Sequence, residues 1–197
     1  MMKFLKSAPT KQEWIQDDKV EICFIGRSNV GKSSLINALA NQKIAKTSNT
    51  PGRTQLVNFF DLPDYRLVDL PGYGFAKVNK DQKTNLTMMI DQYLTQRTNL
   101  KAVFQICDLN VLTDIDAQMS IFFQNQKYDH FLVLNKADKA NKSYFHNHLH
   151  QITKMFQIKP EQIILVSAKN KTNIDFLKRL MKSVIQKNNK QKATVTN

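Results

Sequence analysis

Apolar and polar positions follow two alternating rhythms along this chain. Short apolar runs of strand length are each followed by a longer stretch in which apolar residues recur every three or four positions. Val20–Ile25 is the first run and reads as a buried strand, followed by a helix over Lys32–Asn41. Gln55–Leu62 and Tyr65–Leu70 flank Pro63-Asp64 and read as a β-hairpin. Asp81 to Arg97 places Leu86, Met89, Ile90, Tyr93 and Leu94 on one helical face. Ala102–Asp108 is a strand, Asp114–Gln126 a helix capped by Thr113 or Asp114, and His130–Leu134 a buried strand. Ser143 caps a helix running to about Phe156. After Pro160 comes a last strand, Gln162–Val166, and then a helix capped by Asn173 with Ile174, Leu177, Leu180, Met181, Val184 and Ile185 on one side. Strands alternating with helices after a single hairpin predict a three-layer α/β fold. Its sheet is expected to have six strands, mostly parallel, with one antiparallel hairpin strand. Residues 1–19, around Trp14, show no clear period and read as an N-terminal extension packed on a domain over 20–186; residues 187–197 read as a flexible basic tail.

Sheets of this kind bind ligands at the carboxyl ends of their strands, and each sequence motif lies just after an expected strand. Gly26-Arg27-Ser28-Asn29-Val30-Gly31-Lys32-Ser33 fits G-x-x-x-x-G-K-[ST] between a strand and a helix that opens with Ser34. The glycines let the backbone turn so that several N–H groups face phosphate oxygens, and the helix adds its positive end. Lys32 is then expected to reach the β- and γ-phosphates, with Ser33 ligating Mg²⁺. A Gly-containing turn before a helix is the bland alternative; the full pattern and its context favour the phosphate loop. Asp69-Leu70-Pro71-Gly72 follows the hairpin: Asp69 can hold the Mg²⁺ shell through water, and Gly72 offers an N–H near a γ-phosphate. Asn135-Lys136-Ala137-Asp138 matches the guanine-reading pattern. The Asp138 carboxylate can accept from both guanine N1–H and the 2-amino group, whereas adenine would leave it unpaired. Lys136 can lay its stem over the base, and Asn135 can tie this loop to the phosphate loop. Ser167-Ala168-Lys169 follows the last strand, where the Ala168 N–H could donate to guanine O6. Together these motifs predict a Ras-like P-loop NTPase fold binding GTP and GDP. In the loop ending Gly52-Arg53-Thr54-Gln55-Leu56, Thr54 is placed to complete the Mg²⁺ shell, with Thr47 and Thr50 as rivals.

Composition changes the picture in one respect. The 197 residues carry net charge +13, a field that favours polyanionic partners, RNA above all. A lysine-rich compositional bias without a partner is the alternative. Cys23 and Cys107 sit inside apolar runs and read as core residues, not as a disulfide or metal pair. No run is long enough to span a bilayer and the first residues lack a secretory pattern, so a cytoplasmic protein without membrane contact is expected. His146, His148 and His150 have metal-compatible spacing but no neighbouring Cys or carboxylate in the array, and read as surface histidines.

The wording of the motifs points further. Gly-Arg-Ser-Asn-Val-Gly-Lys-Ser-Ser-Leu-Ile-Asn from Gly26, Thr-Pro-Gly-Arg-Thr-Gln from Thr50, Asn58-Phe59-Phe60, and Asp-Leu-Pro-Gly-Tyr-Gly-Phe-Ala-Lys from Asp69 closely resemble the EngB-type ribosome-biogenesis GTP-binding family. The resemblance covers about 20–186. It implies a cytoplasmic GTPase that acts in late assembly of the large ribosomal subunit, contacting the subunit or its precursor through rRNA; a monomer is expected. It also implies Mg²⁺ ligation by Ser33 and Thr54, and it is the resemblance that selects Thr54 over Thr47 and Thr50. Lys32, Thr54, Gly72 and Asn29 become the expected catalytic set. Tyr73 stands where Ras-like enzymes carry a water-orienting glutamine, so slow intrinsic hydrolysis is expected. Related GTPases with Asn at the position of Asn29 hold K⁺ beside the phosphates, which makes K⁺ a second expected cofactor. Arg27 and Arg53 are candidate charge stabilisers or RNA contacts. Asp108-Leu109-Asn110 departs from the more usual Asp-x-Arg. Lys178, Arg179, Lys182, Lys187, Lys190 and Lys192 form a denser basic set expected to meet rRNA. The competing reading is a nucleotide-gated rRNA-binding module with negligible turnover.

Overall fold

The computed structural model of the chain describes residues 1–46, 56–74, 80–140 and 143–195; within residues 80–83 and 189–195 it describes only the backbone. Among the described residues seven strands form one sheet: β1 (Lys3–Ala8), β2 (Glu21–Ile25), β3 (Val57–Asp61), β4 (Arg66–Asp69), β5 (Leu100–Asp108), β6 (Asp129–Asn135) and β7 (Ile163–Leu165). Their order across the sheet is β1-β3-β4-β2-β5-β6-β7. β3 pairs antiparallel with both β1 and β4, and the remaining pairings are parallel. The helices are α1 (Lys32–Ala40), α2 (Lys80–Gln96), α3 (Asp114–Gln124), α4 (Tyr144–Phe156) and α5 (Ile174–Val195).

Alternation along the strands explains the layers, because successive side chains point to opposite faces. Ile22 and Phe24 of β2 pack with Leu35, Ile36 and Leu39 of α1 and with Leu177, Met181, Val184 and Ile185 of α5. Cys23 and Ile25 face the other way, onto Leu86, Ile90 and Tyr93 of α2 and Phe123 of α3. Farther along that side, Ile152 and Phe156 of α4 cover Cys107, Leu132 and Leu134. Both cysteines are buried and free, as core residues.

The sheet has one strand more than expected. Residues 3–8 lie within the N-terminal segment read as an extension, yet they form the edge strand β1. It pairs with β3 through a register shift between Phe4 and Lys6, and Phe4 meets Phe60 edge-on at 5.6 Å. Trp14 is buried against Tyr93, with ring centroids 5.1 Å apart. The first residues therefore belong to the domain. At the other end, α5 continues through the residues read as a flexible tail, as far as Val195. Lysine, glutamine and alanine are good helix formers, and no glycine or proline interrupts the segment; a helix already nucleated by its packed first half propagates.

Candidate nucleotide site

Five loops leave the carboxyl ends of β2, β4, β5, β6 and β7 at one edge of the sheet. The phosphate loop is fixed by steric demands at two glycines. A Cβ on Gly26 would lie 2.1 Å from the Ile106 carbonyl oxygen, so only glycine lets β2 end against β5. Gly31 has φ +90°, and a Cβ there would approach Asn135 Nδ2 to 2.5 Å. Between them Val30 is buried and anchors the loop in the core, while Ser28 and Asn29 are exposed. Ser33 and Ser34 stand in the first turn of α1.

Lys32 and Asp69 are both buried and form a direct ion pair through Nζ and Oδ1. Asn58 Nδ2 donates to the other carboxylate oxygen at 3.4 Å, and Asn58 Oδ1 in turn accepts from Ser7 Oγ at 2.6 Å. Asp69 thus already holds a cation, the Lys32 ammonium. A buried carboxylate set up this way, with the Ser33 hydroxyl in the first turn of α1 as a second oxygen donor, is hard oxygen chemistry that fits Mg²⁺. Leu70, Pro71 and Gly72 follow in buried backbone. A Cβ on Gly72 would lie 2.7 Å from Gly26 O and 3.2 Å from Ser28 N, so the Asp-x-x-Gly loop lies directly on the phosphate loop.

Asn135 joins the guanine-type loop to its neighbours. Its Nδ2 donates to Val30 O at 2.9 Å, and its Oδ1 accepts from the Ala168 N–H at 3.1 Å. The tie to the phosphate loop is as expected. The Ala168 donor, however, is engaged by Asn135 in this arrangement and is not turned toward a base, because the amide of Asn135 bridges the two loops with both of its ends. Asp138 is half-buried, and its Oδ1 accepts from Ser167 Oγ at 2.6 Å. Ser167 Oγ itself accepts from the Asn170 N–H at 3.1 Å. Ser167 thereby orients the carboxylate, while Ala137 donates its N–H to Val166 O at 3.1 Å; Lys169 is exposed at the rim.

Lys136 adopts a left-handed backbone, φ 64°. Its Nζ donates to Asn29 O at 2.7 Å and pairs with Asp108 Oδ2 at 2.8 Å. Burial raises the Asp108 carboxyl, but its bonds to Lys136 and Asn110 outweigh that and leave it below the usual carboxylate range. Asn110 donates to Asp108 Oδ1 and to Lys136 O. No arginine stands at 110, and the cation beside Asp108 is Lys136.

Arg27, a candidate charge stabiliser or RNA contact, is engaged within the protein. Its Nε donates to Asp116 of α3 at 2.9 and 3.1 Å and its Nη2 to Val111 O at 2.6 Å, so the guanidinium is held by α3. Asp116 also accepts from the hydroxyl of Tyr73 at 2.8 Å. Asp116 and its neighbour Gln105 are the site-supporting residues that sequence reasoning missed; the Thr113-x-x-Asp116 spacing at the start of α3 was their one local signal. Gly52, Arg53, Thr54 and Gln55, with the rivals Thr47 and Thr50, lie outside the described residues, and Leu56 is partly exposed just before β3. Among the described residues no three His, Cys, Asp or Glu side chains gather as a metal site.

A phosphate loop, an Asp-x-x-Gly loop laid upon it, and an Asn-Lys-x-Asp loop tied to it define a P-loop protein for guanine nucleotides. The profile of the 50S ribosome-binding GTPase family matches residues 21–136. A probable GTP-binding protein EngB of Malacoplasma penetrans is 60% identical over 185 residues, covering 94% of this chain and 100% of the relative. Its counterpart in Mycoplasmoides gallisepticum is 45% identical over 177 residues, covering 90% and 95%. The chain belongs to the 50S ribosome-binding GTPase family, among its EngB-type GTP-binding proteins. Solved structures share the fold. A probable GTP-binding protein engB superposes with TM-score 0.72 at 24% identity, covering 85% of this chain and 100% of the other. Era in complex with MgGDPNP and nucleotides 1506–1542 of 16S ribosomal RNA superposes with TM-score 0.64 at 23% identity, covering 85% and 56%.

Proposed function

We propose that this protein hydrolyses GTP slowly to GDP and phosphate with Mg²⁺, and that its nucleotide state switches its contact with the large ribosomal subunit or its precursor. The observation that carries the reading is the convergence of the phosphate, Asp-x-x-Gly and guanine-type loops on one sheet edge around the Lys32–Asp69 pair. Backbone N–H groups of Gly26 to Ser34 cradle the phosphates. Lys32 transfers from Asp69 to the β- and γ-phosphate oxygens, which frees the Asp69 carboxylate; Ser33, Thr54 and Asp69 would hold the Mg²⁺. Bound Mg²⁺ supplies charge neutralisation on the transferring phosphoryl group. Gly72 donates its N–H to the γ-phosphate. Asp138, oriented by Ser167, accepts from guanine. Replacing its carboxylate by an amide swaps acceptor for donor. Asp138→Asn is therefore expected to lose at least about a hundredfold in GTP affinity and to gain affinity for xanthosine triphosphate, whose 2-oxo group accepts. Titration with both nucleotides checks this; unchanged discrimination would overturn the guanine assignment.

The slow rate is supported by Tyr73, whose hydroxyl is committed to Asp116 and Gln105 inside the protein and is turned away from water orientation. Asn29 is the proposed K⁺ neighbour; equal turnover in Na⁺ and K⁺ would sink that part. The rRNA partner rests on the net charge of +13 and on the family's 50S-binding description. Co-sedimentation with large subunits under GTP analogue, GDP and no nucleotide tests the switch. Single-turnover hydrolysis with and without subunits separates it from an RNA-binding module in which turnover is negligible.

A further inference from the structure

Tyr73 follows directly on Gly72, and its side chain is anchored in the protein interior. The phenol is 6% exposed. Its hydroxyl donates to Asp116 Oδ1 at 2.8 Å and accepts from Gln105 Nε2 at 2.9 Å. The same Gln105 nitrogen donates to Asp116 O at 2.7 Å, and Gln105 Oε1 lies 3.1 Å from His130 Nε2. Since both Gln105 bonds above use its N–H₂ group, the oxygen is left as acceptor and His130 is the donor.

The Asp116 carboxylate is fully buried. Beside the phenol it receives Arg27 Nε, the Thr113 N–H at 3.1 Å and the Thr113 hydroxyl at 2.8 Å. Arg27 is the second residue of the phosphate loop, and its Cγ and Cδ lie 3.7 Å from where a Cβ on Gly74 would sit. One buried carboxylate on α3 therefore collects the phosphate loop through Arg27 and the Asp-x-x-Gly loop through Tyr73. Gly72 lies so close to the phosphate loop that a Cβ on it would sit 2.7 Å from Gly26 O and 3.2 Å from Ser28 N.

We propose that Asp116 is a positioning residue for the γ-phosphate: by holding Arg27 and Tyr73 in one frame it sets the Gly72 N–H where only a triphosphate can reach it. The proposal rests on the reading of Gly72 as the γ-phosphate contact. Its signature is selective. A diphosphate does not extend to Gly72, so loosening this frame weakens triphosphate binding and leaves diphosphate binding as it was.

The test compares dissociation constants of the full chain for GDP and for a non-hydrolysable GTP analogue. Tyr73→Phe removes only the hydroxyl and leaves Asp116 with Arg27 and Thr113. It is expected to weaken the analogue about tenfold, the scale of one buried hydrogen bond to a charge, and to leave GDP within about twofold of the unsubstituted chain. Asp116→Asn is expected to act in the same direction and more strongly; if it fails to fold, as judged by thermal unfolding, Tyr73→Phe alone decides. Parallel losses for both nucleotides, or no loss for either, would overturn the proposal by reducing the network to a structural one. Gly72→Ala separates the proposal from the reading beneath it. If that variant keeps the normal preference for triphosphate, the γ-phosphate reading of Gly72 fails and the proposal with it. If Gly72→Ala loses the preference while Tyr73→Phe keeps it, the proposal alone fails.

Discussion

Among the described residues His130 has no charged partner, and this makes it a liability in acid. Its ring is 3% exposed, lies 5.3 Å from Phe123, and touches Gln105 through Nε2. Its Nδ1 is buried and, among the described residues, meets no hydrogen-bond partner. Burial pushes its pKa down to about 3. The folded state therefore keeps the ring neutral, while the unfolded chain takes up a proton near pH 6.5. Below that pH the unfolded state binds more protons, so stability is complete above pH 6.5 and drains away as pH falls toward 3. Between pH 7 and pH 5 the expected loss is about 2 kcal/mol. Denaturant titrations at both pH values should show it, and His130→Gln should flatten the difference; equal slopes in the two proteins would place the sensitivity elsewhere. The contrast with the glycines shows what is readable at this scale. The steric demands on Gly26 and Gly31 come from Ile106 and Asn135, but the phosphate-loop pattern that carries both glycines is written within eight consecutive residues, so it announces them. Arg27 finds its carboxylate 89 residues away. Nothing adjacent to Arg27 records that partner, and only the crossing of α3 over the sheet edge creates it.

At the level of elements, Glu21 plays an analogous tying role at the far end of β2. Its carboxylate is fully buried and accepts from Arg66 of β4 at 3.0 Å, from Arg97 just beyond α2 at 2.8 Å through each of two nitrogens, and from Tyr93 of α2 at 2.7 Å. Arg66 also holds Asp17 of the N-terminal segment. Removing this one charge takes from the Arg97 guanidinium, 7% exposed, its carboxylate partner and leaves Arg66, 3% exposed, to Asp17. Glu21→Gln is expected to cost about 3 kcal/mol, which lowers the melting temperature by roughly 6–12 °C for a chain of this size. Nucleotide affinity of the folded fraction should be unchanged, because the cluster lies at the opposite end of the strands from the phosphate loop. A calorimetric scan and a nucleotide titration check the two halves of this expectation. Elements were legible from the sequence where burial imposes a rhythm: β2, β5, β6 and the first half of α5. β1 was not, because it is an edge strand. Phe4 and Leu5 are both partly exposed, at 47% and 45%, and the register shift between Phe4 and Lys6 breaks the alternation. What makes it a strand is its pairing with β3, from Lys3 with Asp61 to Ala8 with Val57, a contact distant in sequence and invisible to local pattern.

For the whole molecule, the decisive quantity is where charge of each sign resides. Asp69, Asp116 and Glu21 are turned inward against Lys32, Arg27, Arg66 and Arg97. The excess of positive charge therefore falls on the surface, where Lys178, Arg179, Lys182 and Lys187 line the solvent side of α5 opposite its buried Leu177, Met181, Val184 and Ile185. The nucleotide edge was readable because each of its motifs is contiguous and follows a strand. A basic face is a sum over elements, and the net charge of +13 gives its strength but not its place. If α5 meets rRNA as proposed, each phosphate it neutralises releases counter-ions, and binding becomes a function of salt. With about four such contacts, affinity for the large subunit should fall on the order of a hundredfold between 50 and 200 mM salt. Replacing Arg179, Lys182 and Lys187 by glutamine should flatten that slope by about three contacts and leave GTP affinity untouched, since none of the three lies in a nucleotide loop. Sedimentation with large subunits over a salt series measures the slope directly. An affinity that stays level from low to moderate salt would mean that charge does not hold the complex together. A slope that survives the triple substitution would move the contact to another basic face of the same molecule.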